Sequence, residues 1–458
     1  MAVHESPGGT RVVPSLERMA GFVASATPSA GARTRAAAAV LDTVGVTLAG
    51  VTESASRIVR TTLAPAGDHG CVVWGTGLRT TAPDAALANG TAAHALDYDD
   101  MCFVSLAHPS APLVPAVIAT AELAGVSGRA ALDAYVVGFE IEARLGRVMN
   151  PRHYQRGWHC TATLGTIGAA AAASRLLGLS VEAAGHALAI AASEASGLKE
   201  NFGSMVKPLH AGLAARNGVF AALLARAGLT ASAGALDGPQ GFLHAMDSER
   251  EHLAGEIADL GRRWEILDTG ITVKLYPSCA GTHPTLDALL DLRAREKFTA
   301  DDVDRIEIDV DPIVPTILIY DRPASALEAK FSMPFCAAAA IVLGRVGIDT
   351  FDDDRIRDAR LASLMPSVSM RVDPDVGKGA PALTEARVRV YLRDGRTLAQ
   401  DAHGARGYPD RPASDAELDA KFTACATRVL SAEKAGELLS VLRRFEQLQD
   451  LRALTALL

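Results

Sequence analysis

Near residue 270 the chain changes from helical to strand periodicity, and near residue 405 it changes back. A chain that does this is neither one uniform bundle nor one open sheet. Up to residue 270, apolar residues recur every three to four positions, the spacing of a helix with one buried face. Ser15 stands as an N-cap before Leu16, Met19 and Phe22, which share a face. Residues 34–50 read as a second helix with Gly50 as its C-cap. Further helices are expected over 83–96, 111–124, 129–148, 160–177, 181–196, 210–226 and 230–236, joined by loops carrying Gly, Pro or Ser. Residues 1–12 read as a loose tail.

Beyond 270 the pattern alternates. Ile306, Ile308 and Val310 lie two apart, as do Val388, Val390 and Leu392. Arg393-Asp394-Gly395 is a turn signal, so 385–402 reads as a hairpin, and SVSMRVD is a third strand candidate. PTLDALLDLRAREK and KFSMPFCAAAAIVLG read as helices between the strands. After RGYPDRP two more helical segments follow. The expectation is a mainly α protein: a large all-helical domain of residues 1–270 plus 405–458, with a smaller α+β lid domain, 271–404, inserted. A length of 458 residues agrees with more than one domain.

Aromatic residues make up only 5% of the chain while Ala and Gly are abundant, which favours helices packed closely through small side chains. The net charge is −8 and no basic run is present, so nucleic acid is not an expected partner. The six cysteines are scattered without a C-x-x-C spacing, so neither a zinc site nor a disulfide framework is indicated. The first residues lack the apolar core of a signal peptide, and no apolar run reaches the ~18 residues of a membrane span. A cytoplasmic protein with reduced thiols, and no membrane partner, is expected.

Four segments place polar groups beside Gly, Pro or Trp. His94-Ala-Leu-Asp97-Tyr-Asp99-Asp100, followed by His108-Pro-Ser110, packs three carboxylates and two imidazoles between apolar flanks. Gly157-Trp158-His159-Cys160 is the second, Glu200 to Gly212 with Lys207 and His210 the third, and Val273 to His283 with Lys274 the fourth. Each has a plain structural reading. Acidic clusters brace helix ends, His159 at a helix start caps backbone groups, Lys207 before Pro208 is a surface lysine, His210 is structural, and Lys274 and His283 are junction residues. Together, though, they supply the carboxylate, imidazole and ammonium groups that hold an anion and move a proton without a metal. The spacing matches neither an EF-hand nor H-E-x-x-H. No G-x-S-x-G or strand-borne G-x-G-x-x-G is present, so neither a serine nucleophile nor a dinucleotide cofactor is supported.

Seven segments in order, VLDTVGVTLAG, NGTAAHALDYDD, HPSAPLVPA, GWHCTATLGTIGAA, NFGSMVKPLHAG, VKLYPSCAGTHPT and LEAKFSMPFCAAAA, resemble the MmgE/PrpD family. That family groups 2-methylcitrate dehydratase, cis-aconitate decarboxylase and iminodisuccinate epimerase. The resemblance implies a homodimer and cofactor-independent, metal-free chemistry on a small carboxylate. Proton removal next to a carboxylate would be followed by loss of water or CO2, or by reprotonation in an epimerase or double-bond isomerase. It implies catalytic roles for His159 and His108 with Asp97 as orienting partner. It implies substrate binding by Lys207 and Lys274, with Tyr320 closing over the site and His283 and Met101 beside it. A catalytically dead helical dimer would be favoured if the set of Asp97, His159, Lys207 and Lys274 were broken, and all four are present.

The chain departs from the family at one loop. The decarboxylase pattern has a threonine where Met101 stands, and the epimerase an arginine where Leu106 stands. The loop from Met101 to Ala107 is therefore unusually apolar. A buried carboxylate without a cation or donors costs several kcal/mol. The expected substrate has one carboxylate fewer on this side, or an alkyl group there.

Overall fold

The computed structural model describes residues 15–458 except 247, 249–251 and 382. The tail over 1–12 lies outside the described residues. The helices of two turns or more before residue 270 are α1 (Ser15–Ser25), α2 (Ala30–Gly50), α3 (Ser54–Thr61), α4 (Ala82–His94), α5 (Ser110–Ala124), α6 (Gly128–Met149), α7 (Cys160–Leu176), α8 (Val181–Glu194) and α9 (Val206–Arg226). Ser29, Thr81, Ser127 and Ser180 start α2, α4, α6 and α8, each accepting a backbone N–H three residues on. Ser15 is itself the first helical residue.

Helices α4, α5, α7 and α9 pack side by side at the centre. Small residues make this possible. A Cβ on Gly90 would come within 2.9 Å of the Gly212 Cα, and one on Gly212 within 2.2 Å of the Thr91 hydroxyl. Gly50, expected as a C-cap, serves close packing instead: a Cβ there would lie 2.0 Å from the Ala92 carbonyl, and Val51 follows in right-handed conformation. Two further corrections fall in this half. Residues 230–236 form turns, not a helix, because Gly228, Gly234 and Gly238 break the segment. A small antiparallel hairpin, β1 (Cys71–Val73) with β2 (Leu78–Thr80), lies where no strand was expected.

The smaller α+β domain holds α10 (His283–Glu296), β3 (Val303–Val310), α11 (Met333–Leu343), β4 (Val368–Val372), β5 (Glu385–Leu392) and β6 (Thr397–His403). Its sheet has the order β4-β3-β5-β6, parallel between β3 and β4 and antiparallel elsewhere. Ile306 pairs with Val390 and Ile308 with Val388, so their buried side chains share one face. Helices α10 and α11 pack against the sheet and each other.

The chain leaves and re-enters the helical part at adjacent points. Val273 N–H donates to the Gly407 carbonyl at 2.9 Å. Helices α12 (Asp415–Ala426) and α13 (Ala432–Leu442) follow, and α12 packs on α2, where Phe422 lies against Gly45. All six cysteines are buried and unpaired. Among the described residues no single helix is long and apolar enough to cross a membrane.

Candidate active site

Helix α4 ends at His94, and the chain then turns through Asp97 in left-handed conformation, φ 52°. Three buried lysines from distant segments hold this turn by its carbonyls. Lys330 donates to the Leu96 carbonyl at 2.7 Å, Lys274 to that of Asp97 at 3.0 Å, and Lys421 to that of Tyr98 at 2.8 Å. Turn carbonyls have no helix partner, and burial obliges them to find one.

The three carboxylates of this segment go three ways. Asp97 accepts from Lys207 at 2.6 Å and pairs with Lys274 at 3.1 Å. Burial alone would raise its pKa, but Lys207 and Lys274 outweigh that and hold it below the usual carboxylate range. Asp99 lies 2.7 Å from His94 Nδ1 and 3.2 Å from His108 Nδ1. Burial raises it, and the two imidazoles hold it low. Asp100 turns to Ser110, accepting from its backbone N–H and hydroxyl, and burial pushes it up to about 8. Asp99 thus lies nearer to the His108 ring than Asp97, the expected orienting partner, although His108 Nδ1 is without a hydrogen bond. His108 Nε2 is 3.9 Å from Asp97, too far for a hydrogen bond.

His94, quoted with its motif but not counted among the site residues, bridges the two groups. The Lys207 ammonium can only donate, so it donates to His94 Nε2, at 2.9 Å, and His94 Nδ1–H donates to Asp99. Both ring nitrogens are spoken for. Burial pushes this imidazole down to about 4, despite Asp99.

His159 sits at the N-cap position of α7, yet its side chain makes no capping bond. Its Nδ1 lies 3.0 Å from Nδ1 of His210, and its Nε2 is buried without a hydrogen-bond partner. Burial first, then the Lys207 charge, pushes His159 well below the ordinary imidazole value. His210, read as structural, is thus in contact with the His159 ring; burial lowers it to about 4.

His159, His108, Lys207 and Asp97 line one small pocket, a cavity of about 20 Å³, with Tyr154 and Phe202 beside them. Lys207 reaches it from the first turn of α9, where Pro208 is tolerated because first-turn N–H groups need no helix partner. Met101 and Leu106 complete the helical domain's share, and the α+β domain supplies Cys279, Ala280, Ile317, Phe331 and Leu383. Four non-glycine residues among those described have positive φ: Asp97, Leu106 (48°), Lys297 and Leu383 (69°). Three of the four line this pocket. Such backbone costs on the order of 1–3 kcal/mol per residue and persists where the surroundings enforce it.

Three expected site residues lie outside the pocket wall. Lys274 is fully buried behind Asp97. Tyr320, half-buried, donates to the Phe202 carbonyl at 3.1 Å, one layer behind the Phe202 ring. His283 packs edge-on against Tyr276, with Nε2 3.1 Å from the Ser278 carbonyl, and is not part of the lining.

His94, Asp97, Asp99 and His108 each offer a metal-ligand atom, all within 4.8 Å of one another. Lys207 and Lys274 already set two ammoniums on this group, so a further cation would meet like charge. The donor set fits the lysines better than a metal.

Residues 17–252 match the model of the MmgE/PrpD N-terminal domain, and residues 276–447 that of the MmgE/PrpD C-terminal domain. The second match runs past the point where the chain rejoins the helical part. The human (Homo sapiens) cis-aconitate decarboxylase is 30% identical over 435 residues, covering 92% of this chain and 88% of the relative. The Mus musculus cis-aconitate decarboxylase is 29% identical, covering 92% and 87%. The cis-aconitate decarboxylase-like protein oryM of Aspergillus oryzae is 30% identical over 411 residues, covering 85% and 84%.

Proposed function

The chain belongs to the MmgE/PrpD family, and from that premise we propose that it is a metal-independent lyase acting on a small carboxylic acid. Its reaction is dehydration or decarboxylation begun by proton transfer next to a carboxylate. The observation that carries this reading is His159: a buried imidazole with one nitrogen held by His210 and the other unpartnered, in a pocket that also presents the Lys207 ammonium. In this reading His159 Nδ1–H is the donor to His210, which leaves the Nε2 lone pair free to accept a proton. Lys207 holds a substrate carboxylate and stabilises the enolate-like charge that develops as the proton leaves. Lys274, behind Asp97, fixes that carboxylate and through it Lys207. His108, beside Asp99, is the second proton carrier. The names of the relatives support the lyase class.

Two imidazoles lining one pocket also suit an epimerase or double-bond isomerase, in which one nitrogen removes a proton and the other returns it. Incubating the protein with short carboxylic acids in D2O separates the readings. A lyase product is lighter by water or carbon dioxide. An epimerase exchanges deuterium into the substrate with no loss of mass otherwise. No reaction of either kind across the acids would sink both.

A further inference from the structure

The pocket has a polar side, supplied by the helical domain, and an apolar side to which both domains contribute. The α+β domain contributes Cys279, Ala280, Ile317, Phe331 and Leu383, none of which carries a charge or a hydroxyl. Met101 and Leu106 extend that apolar surface from the helical domain. Leu106 and Leu383 are both held at positive φ, a conformation leucine rarely adopts, so two hydrocarbon side chains occupy the wall at a cost to the backbone. Among the described residues no arginine lines the pocket, and Lys207 is the one lining ammonium. Lys274 and Lys330, buried nearby, are engaged by Asp97 and by backbone carbonyls and do not reach the lining.

We propose that the substrate is an alkyl-substituted acid with no more than two carboxylates. It directs its charged end to Lys207 and His159 and its hydrocarbon arm to Met101, Leu106, Ile317 and Leu383. This rests on the pocket being the active site, as proposed above. A third carboxylate would be buried against these side chains without a donor, whereas an alkyl group there gains from leaving water.

The test is calorimetric binding of maleate, 2-methylmaleate, 2-ethylmaleate and cis-aconitate to the native protein. In cis-aconitate a carboxylate replaces the terminal methyl of the ethyl arm. Affinity is expected to rise about fourfold for each carbon added to the arm, with cis-aconitate weaker than 2-ethylmaleate. Leu106→Lys should reverse the order of those last two. Tighter binding of cis-aconitate by the native protein overturns the inference, and so does a series that shows no gain with arm length or no binding at all. The native series decides alone if the variant does not fold. Binding needs no turnover, so the two proposals fail separately. The expected order with no product from any acid would sink the lyase reading alone. Turnover of cis-aconitate with 2-ethylmaleate excluded would sink the substrate class alone.

Discussion

Burial and the neighbouring Lys207 ammonium keep the His159 ring neutral through neutral pH. A proton acceptor must be neutral, so activity should fall only as pH drops through this depressed value. The acid limb of kcat/KM is therefore expected below the ordinary imidazole value of 6.5, and a pH–rate series checks it; a limb at or above that value contradicts the assignment. His210 acts on the substrate only through His159. His210→Ala should lower kcat roughly 10–100-fold, the usual effect of losing a ring-orienting partner, while KM moves less. His210→Asn, whose side-chain oxygen can still accept from His159 Nδ1–H, should recover much of that. An unchanged kcat in His210→Ala would mean that the pair does not set the tautomer. Asp97, His108, His159 and Lys207 were legible as candidates because each sits in a short polar run between apolar segments. His94 and His210 stood in the same segments without being singled out, because what defines them are contacts with Lys207 and His159, far away in sequence.

The turn after α4 is the element on which the site depends, and Lys330, Lys274 and Lys421 hold three successive carbonyls of it. Lys330 donates to the Leu96 and Pro277 carbonyls, and burial pushes it down to about 8. As pH rises through that value its charge is lost and both bonds weaken, so activity should decline above pH about 8. Lys330→Met should abolish this alkaline limb and lower kcat by roughly 10²-fold, the effect of a small misplacement of catalytic groups. An alkaline limb that survives in the variant would assign it to another group. Lys421 also pairs with buried Asp42 at 2.7 Å, tying α12 to α2. Lys421→Met leaves the Asp42 charge alone and should cost about 3–5 kcal/mol, read by urea unfolding. Adding Asp42→Leu should recover most of it, and a double variant no more stable than the single one would contradict this. None of these bridges was visible in sequence, since a lysine gives no sign of the carbonyl it will meet.

At the scale of the molecule, the strands β3, β5 and β6 were readable from their long alternating runs and the Arg393-Asp394-Gly395 turn. The hairpin β1–β2 was not, because three residues are too few to establish a period of two. Residues 230–236 misled through alanine content, which the surrounding glycines overrule. The meeting of the two domains at one pocket was foreseeable only in outline; that the α+β side of it is wholly apolar required the fold. The homodimer implied by the family resemblance remains a proposal, which sedimentation would check: the expected particle has twice the chain mass, and a monomer at assay concentration would contradict it. The central claim is that this pocket moves a proton through His159 without a metal. It is tested most directly by comparing native protein and His159→Ala on an acid the native protein turns over, with and without EDTA. The account predicts that EDTA leaves the native rate unchanged and that His159→Ala lowers kcat by roughly two to four orders of magnitude. Full activity in His159→Ala, or a loss on chelation that added metal restores, would contradict it.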